Sequence, residues 1–277
     1  MTGGRRRIPR LPPRNAGVGA RDQPTPEERL VRAGIAGAPG GRGPGPTELR
    51  RYVACLVAGD RRALGAVGPI PGLTEDEVWE ALRAVFGATP ARPYIEPALT
   101  IAAARDAGTR LREVARRGGR IAFATSRPAS LLALHLALAR QACARGADLV
   151  ELADAGPIHS DGRAGRWLRW VGGVTAVTDG NALYDVGGDE AAREWTFVVP
   201  RPSLVVADGP FAEAAWASGT EVIALAGLDR PVLALAAAAH DRCALVPAWL
   251  DRAPGDYAAL EILLGGPGDD PPAGPGL

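Results

Sequence analysis

The stretch GGRIAFATSRPASLLALHLALARQ, residues 118–141, decides the fold class. Residues 121–125 form a short apolar run of the buried-strand type, and from Arg127 or Pro128 to position 145 apolar residues recur at helical spacing. The junction Thr125-Ser126-Arg127-Pro128 is polar, and Pro128 suits the first turn of a helix. The same design returns in PSLVVADGPFAEAAWASGTEVIAL, residues 202–225, where Asp208-Gly209-Pro210 makes the junction. Two such strand-turn-helix units imply a parallel sheet, which binds ligands beyond the carboxyl ends of its strands, beside helix N-termini.

The pattern continues on either side. A helix is expected over 99–117, closed by Gly118-Gly119, and strands over 148–153, 204–207, 222–226 and 244–247. Residues 211–218 and 231–240 read as helices, 190–194 as a helical segment, and 168–183 as a strand pair with Asp179-Gly180 as its turn signal. Upstream, 26–33 and 47–58 read as helices, the second capped by Thr47. Residues 74–86 carry a Thr74–Glu77 capping box ahead of Val78, Leu82, Val85 and Phe86 on one face. The expected fold is α/β: a three-layer sandwich with a mostly parallel sheet, helices on both faces and an N-terminal helical region. The expected organisation is a disordered Arg/Pro/Gly-rich tail over 1–26, a helical region over 27–95, the α/β domain over 96–264 and a disordered tail over 265–277.

Composition removes several function classes. The 32 basic residues are all arginine and stand against 31 acidic ones, for a net charge of +1. That balance argues against a nucleic-acid or membrane-surface binder, which needs a field of one sign. Without lysine there is no Schiff-base chemistry and no Walker-type phosphate lysine, so anion contacts must come from guanidinium groups, hydroxyls or backbone N–H groups. Cys55, Cys143 and Cys243 are scattered, as suits a reducing cytoplasm. The apolar run 131–138 is too short for a membrane span, and no secretory signal or organic cofactor motif is legible.

Two junctions carry the candidate chemistry. The hydroxyls of Thr125, Ser126 and Ser130, the Arg127 fork and the free N–H groups of the following helix could face one phosphate; alternatively Ser126 only caps that helix. Asp208, followed by Gly209, could hold a metal, orient water or attack phosphorus; alternatively it is a simple N-cap. Asp154 and Asp229 occupy similar strand exits, and with Asp208 they form a candidate site for Mg²⁺ or another divalent cation. His135 lies on the apolar face of its helix and reads as a packed core histidine.

The residues Arg32-Ala33-Gly34-Ile35-Ala36-Gly37, Ala58-Gly59-Asp60, Ile95-Glu96-Pro97, Leu168-Arg169-Trp170-Val171-Gly172-Gly173, Thr178-Asp179-Gly180 and Val206-Ala207-Asp208 resemble a family of bacterial, largely actinobacterial, phosphatase-like proteins. The resemblance covers about residues 27–262 and implies a cytoplasmic α/β hydrolase acting on a phosphorylated small molecule. This chain departs from that pattern where the family carries histidines, at Arg127, at Gly209 and near Tyr184 and Asp185. It is therefore expected to be a divergent member, either an altered enzyme with Arg127 and Asp208 as catalytic groups or an inactive module binding an anionic metabolite or a protein.

Overall fold

The computed structural model describes residues 24–41, 43–150, 166–185, 190–239 and 241–266. Most of the tail expected over 1–26 and nearly all of that over 265–277 lie outside the described residues, as does Asp154. The elements run α1 (Pro26–Arg32), α2 (Pro46–Val57), α3 (Arg61–Leu64), α4 (Glu75–Phe86), α5 (Pro97–Arg116), β1 (Arg120–Ala124), α6 (Pro128–Ala144), β2 (Asp148–Leu149) and β3 (Trp167–Val171). They continue with β4 (Val174–Thr178), β5 (Leu183–Tyr184), α7 (Glu190–Val198), β6 (Leu204–Asp208), α8 (Gly209–Ala217), β7 (Val222–Ala226), α9 (Pro231–Ala239), β8 (Cys243–Pro247) and α10 (Ala258–Gly265).

Local chemistry explains where the helices begin. Thr25 with Glu28 and Thr74 with Glu77 close reciprocal capping boxes on α1 and α4. Pro46 opens α2, so Thr47 sits inside the first turn and Gly45 holds the cap position. Proline tolerates that first position because the N–H it lacks would have had no helical acceptor. The strand pair also turns earlier than expected. Gly172-Gly173 reverses β3 into β4, while Asp179-Gly180 turns β4 into the short β5. The short helices α3 and α10 carry no side-chain cap of the Ser/Thr type that would mark them in the sequence; Asp60 caps α3, and α10 starts from Tyr257 without one.

Among the described residues the sheet has eight strands, with β3-β4-β1-β6-β7-β8 as its main order. β1, β6, β7 and β8 are parallel, β4 runs parallel to β1, and β3 and β5 pair antiparallel with β4. Helices α5, α6 and α10 pack together on one face, and α7, α8 and α9 with α4 on the other. The sheet is therefore mixed but mostly parallel and covered on both sides, which is the reason its central strands are apolar throughout. The core is a single hydrophobic cluster that includes the N-terminal helices as well as the sheet. Trp195 and Phe211 meet edge to face within it, at 5.4 Å between ring centroids. Among the described residues, no helix is long and apolar enough to cross a membrane.

Two features of this topology position a site. The chain leaves β1 for β2 and β4 on one side and returns to β6 on the other, so a switch point lies between β1 and β6. In addition, α1 packs on α5 and α10 while α2 packs on α4 and α9. The segment between α1 and α2 must therefore cross the sheet edge, and it is tied down beyond β8. The Trp249 amide donates to the Ile35 carbonyl at 2.9 Å and its indole N–H to the Gly37 carbonyl at 3.2 Å. The Arg252 Nε donates to the Gly34 carbonyl at 2.9 Å.

Candidate functional site

At the switch point the ends of β1 and β6 are bonded directly to each other. One oxygen of Asp208 accepts the backbone N–H of Ser126 at 2.9 Å and also the Ser126 hydroxyl. The other oxygen faces Nε2 of His135, two turns along α6, at 3.3 Å. Asp208 and His135 are both fully buried. Burial is the largest influence on the Asp208 carboxyl and acts to raise its pKa. His135, then the Ser126 and Thr125 side chains, outweigh it and hold the carboxyl below its ordinary range. Asp208 occupies the N-cap position of α8, yet its side chain makes no capping bond there. Ser126 likewise does not cap α6, whose cap position falls on Arg127.

Gly209 makes this approach possible. Its φ is +49°, and a Cβ at this position would lie 2.6 Å from the Ser126 Oγ. Only glycine supplies both the backbone angle and the space. Thr125 is buried, and its hydroxyl accepts the Arg127 N–H at 3.1 Å, tightening the turn. Ser130 also turns inward, donating to the Arg127 carbonyl at 3.3 Å. The hydroxyls expected to face a phosphate are therefore occupied in fixing the turn itself.

From this turn Arg127 reaches carboxylates that lie beyond the exits of β7 and β8. One Nη donates to Asp229 at 2.5 Å and the other to Asp251. The Arg127 side chain is 19% exposed, whereas those of Asp229 and Asp251 are 31% and 47% exposed. Burial opposes the Arg127 charge most strongly, but the two carboxylates override it and hold the group more firmly protonated than a free guanidinium. Asp229 and Asp251 line a cleft of about 190 Å³ together with Gly43, Pro44, Glu48, Tyr52, Trp249, Leu250 and Arg252. Tyr52 donates to Glu48 at 2.7 Å; burial, then that bond, pushes its phenol up to about 12.

Of the expected residues, Asp229 lines the cleft and Arg127 is bonded to it, whereas Asp208, Thr125, Ser126, Ser130 and Gly209 are not part of its lining. Of the carboxylates expected to share a divalent cation, Asp208 and Asp229 have different partners. Asp208 is sealed in the interior with both oxygens facing partners, Asp229 is held by Arg127, and Asp154 lies outside the described residues. Among the described residues, no group of three His, Cys, Asp or Glu side chains is placed to hold a metal ion.

The sequence reading missed Asp251, Glu48 and Tyr52. Asp251 was accessible by the reasoning applied to Asp208 and Asp229, because it lies four residues beyond the end of the last strand at Pro247. Glu48 and Tyr52 gave no such signal, since only the crossing of the α1–α2 segment brings them to the edge. His135 is a core residue, as expected, but a buried imidazole also needs a polar neighbour, and Asp208 is that neighbour.

No curated protein and no solved structure matches this chain. The family described as Phosphatase matches residues 24–258, and the chain belongs to that family.

Proposed function

We propose that this member of the phosphatase family is a cytoplasmic hydrolase of a phosphorylated small molecule, and that its site is the cleft at the carboxyl edge of the sheet. The observation that carries the proposal is that Asp229 and Asp251, beyond the exits of β7 and β8, line one cleft and are both ion-paired with Arg127, which follows β1. Phosphate-ester hydrolysis requires cationic donors on the phosphoryl oxygens and a positioned water. A guanidinium has five N–H donors. Two of those on Arg127 are engaged by the carboxylates, which leaves others for a phosphoryl oxygen, and Arg252 borders the same cleft. Asp251, the more exposed partner of Arg127, is the carboxylate best placed to orient water. In this reading Asp208 is a positioning residue that fixes the Thr125–Arg127 turn, and it does not touch the substrate. The free thiols of Cys55, Cys143 and Cys243 are in keeping with a reducing compartment.

A panel of phosphomonoesters, assayed with and without Mg²⁺ or Mn²⁺, tests this reading. Turnover that falls at least about a hundredfold in Asp251→Asn supports it. Turnover no higher than in that variant for every ester removes the enzyme claim.

A second reading, a binding module without catalysis, is favoured by the occupancy of the polar groups. Asp208 and Ser126 are bonded to each other, and Arg127 is held by two carboxylates. Under this reading phosphorylated metabolites raise the melting temperature without being consumed.

A further inference from the structure

Asp229 and Asp251 leave adjacent parallel strands and face the same cleft. Two carboxylates directed at one point repel each other unless a cation stands between them. The usual occupant of such a place is a hard divalent ion, which takes carboxylate oxygens from several loops. Here the place is filled by a side chain. The two Nη atoms of Arg127 bond to one carboxylate each, and its side chain is mostly covered by the protein.

Its backbone is equally constrained. Arg127 follows Ser126, whose N–H and hydroxyl are both held by the buried Asp208, and its own N–H is bonded to Thr125. A guanidinium does not lose its proton in the accessible pH range, so this cation cannot be titrated away.

We infer that Arg127 stands where a divalent cation would otherwise bridge Asp229 and Asp251, so that the native cleft carries its own fixed charge and excludes metal ions. Removing the side chain leaves two carboxylates directed at one gap. That arrangement suits Mn²⁺ or Mg²⁺, completed by water. The inference concerns the cleft named under the proposed function but does not depend on turnover.

The test is titration of the purified full chain with Mn²⁺, followed by electron paramagnetic resonance and calorimetry in the absence of substrate. The wild type is expected to take up no ion at the cleft. Arg127→Ala is expected to gain one site at least about tenfold tighter than any in the wild type, and Arg127→Ala/Asp229→Asn to lose it. A folded Arg127→Ala protein, checked by circular dichroism, that takes up no Mn²⁺ overturns the inference. Stoichiometric uptake by the wild type that disappears in Asp251→Asn also overturns it. Should Arg127→Ala fail to fold, Arg127→Gln, which keeps most of the side-chain bulk and removes the charge, takes its place: Mn²⁺ uptake that is lost on adding Asp229→Asn supports the inference, and no uptake by the folded variant refutes it. Neither result bears on the phosphomonoester assay, so failure of the metal inference and failure of the phosphatase reading are distinguishable.

Discussion

Asp208 at the end of β6 accepts both the backbone N–H and the hydroxyl of Ser126, which follows β1. The bond joins the two strands between which the sheet changes direction, and both of its residues are buried. Its consequences reach the cleft, because the next residue is Arg127.

Asp208→Ala leaves the Ser126 N–H and the His135 imidazole without their carboxylate. Removing one member of such a buried polar set costs about 3 kcal/mol or more. Asp208→Asn, which keeps an acceptor for the Ser126 N–H but loses the charge, should cost less. Urea denaturation of the two variants checks the order; equal stability of Asp208→Ala and the wild type would contradict the buried network.

Gly209→Ala places a Cβ 2.6 Å from the Ser126 Oγ at a φ of +49°. Backbone strain and overpacking each cost about 1–3 kcal/mol, so the variant should melt several degrees below the wild type. A companion change, Ser126→Gly with Gly209→Ala, removes the clash and retains the strain, and comparing it with Ser126→Gly alone, which lacks the same hydroxyl bond to Asp208, separates the two contributions.

Asp179 accepts the Tyr184 hydroxyl at 2.5 Å and the N–H groups of Asn181 and Ala182 at 2.9 Å each. The Tyr184 bond, then the backbone bonds, lower its carboxyl to about 2. An unfolded aspartate titrates near about 3.9. The contribution of this turn to stability is therefore complete above that value and is lost as pH falls through the folded one. Carbon-detected NMR titration should place Asp179 near about 2 in the wild type and closer to about 3.9 in Tyr184→Phe. An unchanged midpoint in the variant would remove Tyr184 as the cause.

The thiols should differ in reactivity. Cys143 is exposed, whereas Cys243 is buried in β8, and burial pushes its thiol up to about 12. Because the thiolate is the reacting form, iodoacetamide at pH 8 should label Cys143 in the native protein and Cys243 only after unfolding. Peptide mass spectrometry distinguishes the sites, and rapid native labelling of Cys243 would show that β8 opens.

The helices and strands were legible because their signals act over a few residues. Thr74 and Glu77 mark the start of α4, Pro128 opens α6, and the apolar runs of β6 and β7 lie where their composition placed them. Alternation of these elements was enough for the layered α/β class and for the strand exits as the place to look. The Gly37–Pro46 stretch shows where that reading stops. Its Gly- and Pro-rich composition carries no helix or strand signal, yet Gly43 and Pro44 form part of the cleft wall, because α1 and α2 pack on opposite faces of the sheet.

Local pattern alone established which side chains stand at the ends of strands: Ser126 and Arg127 after β1, Asp208 at the close of β6, Asp229 after β7. Their partners followed from the order of the strands and from how the helices pack across them. Ser126 and Asp208 are 82 residues apart in the chain, and Arg127 is 124 residues from Asp251. Contacts at such separation arise when the hydrophobic core forms and brings distant segments to one edge; no spacing along the chain encodes them. For that reason Asp208, which the sequence leaves open as a chemical group or a simple helix cap, is buried against Ser126 and His135, and Arg127 is paired with Asp229 and Asp251.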